Sequence, residues 1–168
     1  MRRIISEQVP IEIVAVGSRR KMSDNEKTSI SLDAIPESAK AIRRKVRESA
    51  DNVGFDGEAL SDLLIGIGEA FNNAVKHGCA DNGDGICARI CASSEEMVVV
   101  LDYGGDCFVH EIPPASELHK LDNGGLGRFL MYSLLDDISY TFRDGHTSIR
   151  LAKRKNGGGE LEIDGDVN

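Results

Sequence analysis

The chain has 168 residues, of which 40% are hydrophobic and 29% charged, and it carries a net charge of −8. That length supports one well-buried core and is short for two. The acidic balance, with no long basic block, speaks against direct nucleic-acid binding, and no apolar run approaches a membrane span.

In chain order, residues 1–27 read as an N-terminal extension, with Ile11-Glu-Ile-Val-Ala-Val16 as a strand and Ser18 to Lys27 as a polar linker. Arg2 and Arg3 are followed by Glu7, Gln8 and Glu12, which interrupt the apolar core of a signal peptide, so a cytoplasmic protein is expected. Thr28 to Ile35 reads as a strand, and Pro36 opens a helix to about Asn52. On that helix Lys40, Arg43, Arg44 and Arg47 recur at i, i+3, i+4, i+7 beside an apolar face of Ile42, Val46, Ala50 and Val53. The basic stripe has two readings: a solvated face, or a docking surface for an acidic partner.

A second helix is expected from Asp56 to His77. With about 100° per residue, Leu63, Leu64, Ile67, Ala70, Phe71 and Ala74 fall on one apolar face. Glu69, Asn73 and Lys76 gather on the opposite one. Gly66 and Gly68 each cost the helix roughly 1 kcal/mol relative to Ala. A helix tolerates that where something approaches its backbone closely. On these residues alone, a surface helix whose polar face meets water explains the pattern equally well.

Ile86 to Ala92 and Met97 to Leu101 read as a hairpin joined by Ser93-Ser-Glu-Glu96. The run Met97-Val-Val-Val-Leu101 suits a buried central strand. Asp102 follows at its end, then Gly104 and Gly105, placing a carboxylate at the rim of the sheet; Asp-x-Gly is equally ordinary turn chemistry. Gly105 to Asn123, with Pro113-Pro114, is a long irregular connection that reads as a lid or as plain disorder. Gly124-Gly125-Leu126-Gly127 then feeds a helix marked by Leu126, Phe129, Leu130 and Leu134. Free N–H groups and the positive end of the helix dipole make such a junction an anion site, against the alternative of a flexible glycine loop. The acidic tail from Asn156 reads as disordered. Cys79, Cys87, Cys91 and Cys107 contain no C-x-x-C pair and read as reduced thiols rather than a zinc site. P-loop, G-x-G-x-x-G, H-E-x-x-H and G-x-S-x-G signatures are absent from the sequence.

In this order and spacing, Glu69-x-x-x-Asn73, Asp102-x-Gly104 and the Gly-Leu-Gly helix start resemble the Bergerat-fold (GHKL) ATPases, the superfamily of gyrase, the heat-shock chaperone and the histidine kinases. More closely, Gly-Glu-Ala-Phe-Asn-Asn-Ala-Val-Lys-His and Gly-Gly-Leu-Gly-Arg-Phe-Leu-Met-Tyr-Ser-Leu-Leu-Asp-Asp resemble the anti-sigma-factor serine kinases of the RsbW and SpoIIAB type. Arg143-Asp-Gly-His-Thr147-Ser-Ile-Arg-Leu is similar to the closing strand of that family. The resemblance runs from about Ser29 to Lys153.

It implies an α/β two-layer sandwich, a mixed sheet covered on one face by helices, with residues 28–155 as the ATP-binding domain. It also implies roles. Asn73 would bind the Mg²⁺ that bridges the ATP phosphates, and Glu69 would act as general base, or orient the attacking group, at the γ-phosphate. Asp102 would accept a hydrogen bond from adenine, Gly104 would let the base approach, and Thr147 would help hold it. Gly125, Leu126 and Gly127 would offer backbone N–H groups to the phosphates, which Lys76 would also reach. A single amide plus phosphate oxygens suits Mg²⁺, which keeps several waters. One departure is Asp106, where the family often has Gly; a carboxylate there would repel phosphate. The implied partners are a sigma factor, an anti-anti-sigma protein of the STAS type that accepts phosphate on serine, and a second copy of the chain. A nucleotide-sensing sequestration module without kinase activity and a gyrase-like ATP hydrolase remain as alternatives. A histidine kinase is disfavoured, because little chain precedes the ATP domain to carry a phospho-acceptor helix pair.

Overall fold

The computed structural model describes residues 27–77, 85–105 and 125–155. The Ile11–Val16 strand, Asp106, Gly124, Cys79, Cys107, the lid beyond Gly105 and the tail lie outside the described residues. The described elements are β1 (Lys27–Leu32), a 3-10 turn (Pro36–Ser38), α1 (Ala39–Val53), α2 (Gly57–His77), β2 (Ile86–Ala92), β3 (Glu96–Gly104), α3 (Gly125–Leu134), β4 (Asp137–Arg143) and β5 (His146–Arg154). The strands form one sheet in the order β1-β2-β3-β5-β4. All four pairings among the described strands are antiparallel, where a mixed sheet is expected.

Local chemistry sets the boundaries. β1 stops at Leu32, three residues short of expectation, because a tight turn brings the Ile35 N–H to the Asp33 carbonyl at 2.8 Å before Pro36. Pro36 then opens a turn of 3-10 helix before α1 proper begins. α1 ends where Gly54 takes a left-handed conformation (φ 71°). The Phe55 N–H reaches back to the Ala50 carbonyl at 2.9 Å while its ring enters the core, so one motif closes the helix and packs the link to α2. In the β2–β3 hairpin the Ser93 N–H donates to the Glu96 carbonyl at 2.9 Å, and the Ser93 hydroxyl accepts from the Glu96 N–H at 3.0 Å. β4 and β5 turn through Asp144 and Gly145, both at positive φ (52° and 77°), the backbone that a two-residue hairpin loop requires.

The helices cover one face of the sheet. Ala88 and Ile90 of β2, Val99 and Leu101 of β3, and Ile149 and Leu151 of β5 meet Ile42 and Val46 of α1 and Leu63, Ile67 and Phe71 of α2 in one core. Alternation puts Cys87, Arg89, Val100, Asp102, Ser148 and Arg150 on the opposite face. At the core edge, Lys153 of β5 is 9% exposed. Its ammonium lies 2.9 Å from the Asp62 carboxylate of α2 and donates to the Leu134 carbonyl at 2.7 Å, so one cation ties the end of α3 to α2 and the sheet.

Both α2 glycines meet a close neighbour. A Cβ at Gly66 would stand 2.7 Å from Leu135 Cδ1, and one at Gly68 would collide with the Arg43 guanidinium. Arg43 also donates to the Leu64 carbonyl at 3.3 Å. It is therefore a packing residue between α1 and α2 rather than a member of a free basic stripe. Arg44 pairs with Glu48 at 3.9 Å, leaving Lys40 and Arg47 exposed on the outer side of α1. Among the described residues no helix is long and apolar enough to cross a membrane.

Candidate nucleotide site

Glu69 sits midway along α2, partly buried, on the side that faces α3. Its carboxylate occupies the place where a side chain on Gly127 would begin: a Cβ built there would collide with Glu69 Oε2. The packing of α3 on α2 thus brings the carboxylate to the first turn of the glycine-rich helix. Asn73, one turn further along α2, is also partly buried, whereas Lys76 is exposed. α3 begins at Gly125, and Leu126 in its first turn is 54% exposed. The first N–H groups of a helix have no intrahelical acceptor, so this end offers amides and a positive dipole beside a carboxylate.

The other candidate residues lie at one end of the sheet. Thr147 is fully buried on the helix face, and its hydroxyl donates to the Gly105 carbonyl at 2.9 Å. The Gly105 N–H in turn donates to the Gly145 carbonyl at 2.9 Å, so the turn after β3 is pinned to the start of β5. Gly104 is buried and pairs with His146 across the ladder.

Asp102 is not at the end of its strand: β3 runs on to Gly104. Its side chain shares the outer face with Ser148, directly across the ladder, and with Arg89 on β2. Arg89 holds one carboxylate oxygen from Nε at 2.9 Å and from a terminal nitrogen at 2.8 Å, and the Ser148 hydroxyl donates to the other. The structure brings Glu69 to Gly127 and Thr147 to Gly105; it does not bring the Asp102 carboxylate to either group.

Two residues were not singled out for the site from sequence. Arg89 carried no motif, although a cation two positions from the Cys87–Asp102 pair becomes visible once the hairpin register is known. Arg128 follows Gly127 in α3, and its Nε is buried without a hydrogen-bond partner. A cation in the first turn of a helix, against the dipole, was the available signal.

Two features fit a bound nucleoside triphosphate with a divalent cation: an orphaned guanidinium nitrogen at a glycine-rich helix start, and an amide one turn from a carboxylate. Among the described residues no cluster of three or more His, Cys, Asp or Glu could hold a metal by itself, so a cation here would rest on Asn73 and the phosphates together.

The two-layer sandwich defines a domain of the α/β class. Residues 32–153 match the histidine kinase-like ATPase domain, and the chain belongs to that family. It is 29% identical over 132 residues to the serine-protein kinase RsbW of Listeria monocytogenes serotype 4a, covering 72% of this chain and 83% of the relative. It is 32% identical over 124 residues to the RsbW of Bacillus licheniformis, covering 68% and 77%. Bacillus subtilis RsbW is 27% identical over 137 residues, covering 76% and 85%. Among solved structures, the RsbU and RsbW domains of Rv1364c from Mycobacterium tuberculosis superpose with a TM-score of 0.58 at 21% identity. That alignment takes in 77% of this chain and spans 32% of the longer one, and it supports the fold alone.

Proposed function

We propose that the chain is an ATP-dependent anti-sigma factor, a protein kinase that phosphorylates a serine on an anti-anti-sigma partner of the STAS type and, as a homodimer, sequesters a sigma factor. Family membership and the similarity to serine-protein kinases support the kinase reading. The observation that carries it is the Glu69 carboxylate lodged against Gly127, which sets a proton acceptor beside an anion-binding helix start.

Mg-ATP supplies the transferable phosphoryl group. The Gly125, Leu126 and Gly127 amides and Lys76 bind phosphate oxygens, and Asn73 would hold the Mg²⁺, which would neutralise phosphate charge. Thr147, Gly104 and Asp102 serve the adenine end. Glu69 orients the incoming serine hydroxyl and takes its proton as the serine oxygen bonds to the γ-phosphorus and ADP leaves. Phosphoryl transfer needs mostly positioning and charge neutralisation, so these few groups suffice. The new phosphoserine carries about −1.5 to −2 charge and expels the partner by repulsion and desolvation, returning the kinase to its sigma factor.

The test uses labelled ATP and the STAS-type partner recovered by co-purification from native cells. Wild type should give acid-stable phosphoserine, and Glu69→Gln should bind ATP without transfer. An acid-labile product would point to histidine phosphorylation. No transfer by wild type, with sigma binding intact, would leave sequestration without kinase activity.

A further inference from the structure

We propose that Arg128 is a phosphate-binding residue of this site, contacting the terminal phosphates of the nucleotide; the inference rests on the ATP reading above. Three observations converge on it. First, Arg128 lies in the opening turn of α3, where the free amides and the dipole already favour an anion and disfavour a cation. Its place there becomes favourable once an anion arrives between the amides and the guanidinium.

Second, its Nε is buried without a hydrogen-bond partner. A guanidinium is a planar fork of donors that never deprotonates in proteins, and leaving one of its N–H groups buried and unpaired is costly. Phosphate oxygens match that fork better than any other common biological anion except carboxylate.

Third, the packing fixes which side of α3 the residue occupies. Arg128, Met131 and Leu135 fall at i, i+3 and i+7, on one stripe. Met131 is fully buried, and Leu135 lies against Gly66 of α2. The stripe therefore faces α2, and Gly127, the residue before Arg128, touches Glu69. Arg128 thus leaves α3 on the side that faces α2, one residue on from the glycine that meets the carboxylate assigned to the γ-phosphate, which is why the terminal phosphates are its ligand. Its charge also offsets the repulsion that the Glu69 carboxylate would exert on a polyphosphate.

The experiment is calorimetric titration of the full chain with Mg-ATP and with AMP, for wild type, Arg128→Gln and Arg128→Lys. Arg128→Gln should lose at least tenfold in ATP affinity with AMP affinity unchanged, and Arg128→Lys should recover part of the loss, keeping the charge but not the fork. ATP affinity unchanged in Arg128→Gln, or ATP and AMP affinities falling together, would overturn the proposal, the second by marking a structural role. Should Arg128→Gln fail to fold, Arg128→Lys decides, since a phosphate contact predicts a loss confined to ATP. Wild type that binds neither nucleotide would overturn the reading of the site itself, a result separable from the others.

Discussion

Gly127 has no room for a side chain because the Glu69 carboxylate fills the place a Cβ would take. The obstacle is the far end of a flexible side chain rather than backbone, so Gly127→Ala is expected to fold. The gain of about 1 kcal/mol in helix propensity from Gly to Ala offsets the cost of displacing the side chain. Glu69, however, would have to swing away, and a misplacement of about 1 Å in a reacting group costs on the order of 100-fold in rate. Phosphotransfer should therefore drop by about that factor while the thermal midpoint moves little. A variant that keeps full activity would show that the position of the Glu69 carboxylate does not matter to the reaction.

Lys153 gives a prediction about stability. Its contacts to Asp62 and to the Leu134 carbonyl join three elements in a nearly dry environment, with the two side chains 11% and 18% exposed. Removing one partner of a buried pair strands the other charge, so Lys153→Met should cost about 3 kcal/mol in urea denaturation. Adding Asp62→Leu should recover much of that loss, because an apolar pair of similar volume replaces the ion pair. A single variant as stable as wild type would mean that the pair is solvated and contributes little.

Asp102 tests the adenine assignment. Both carboxylate oxygens are engaged by Arg89 and Ser148, so adenine recognition through Asp102 requires the carboxylate to exchange partners. Arg89→Leu should then tighten ATP binding by roughly two- to fivefold, the worth of an exposed ion pair. Asp102→Asn should weaken it by about tenfold, the scale of one charge-assisted hydrogen bond. If neither variant changes affinity, Asp102 belongs to an ion pair of the outer sheet face and adenine is read elsewhere.

Periodicity made α2 readable almost to its ends, because the apolar stripe from Leu63 to Ala74 stays in phase for the length of the helix. The two glycines signalled a close approach, but not that Leu135 and Arg43 are what approaches. The arginine had looked like part of a solvated stripe, since spacing reports which face a side chain leaves from and not where its long stem ends. β3 was read too short because Asp102 looks like a stop. In a strand, a polar residue facing outward interrupts nothing, as Tyr103 on the core side shows. Asp144-Gly145 is a strong hairpin signal that marks β4 ahead of β5. The Glu69–Gly127 juxtaposition joins residues far apart in the chain. Local sequence named both partners, and only the packing of α3 on α2 shows that they meet.

The central claim is that the polar side of α2 and the start of α3 form a Mg-ATP site. Calorimetric titration of wild type and Asn73→Ala with ATP, with and without Mg²⁺, tests it most directly. Wild type should bind ATP in a Mg²⁺-dependent manner, and Asn73→Ala should lose that dependence along with most of the affinity, because the amide is the protein's own ligand to the ion. Equal, Mg²⁺-dependent affinities in the two proteins would contradict the account.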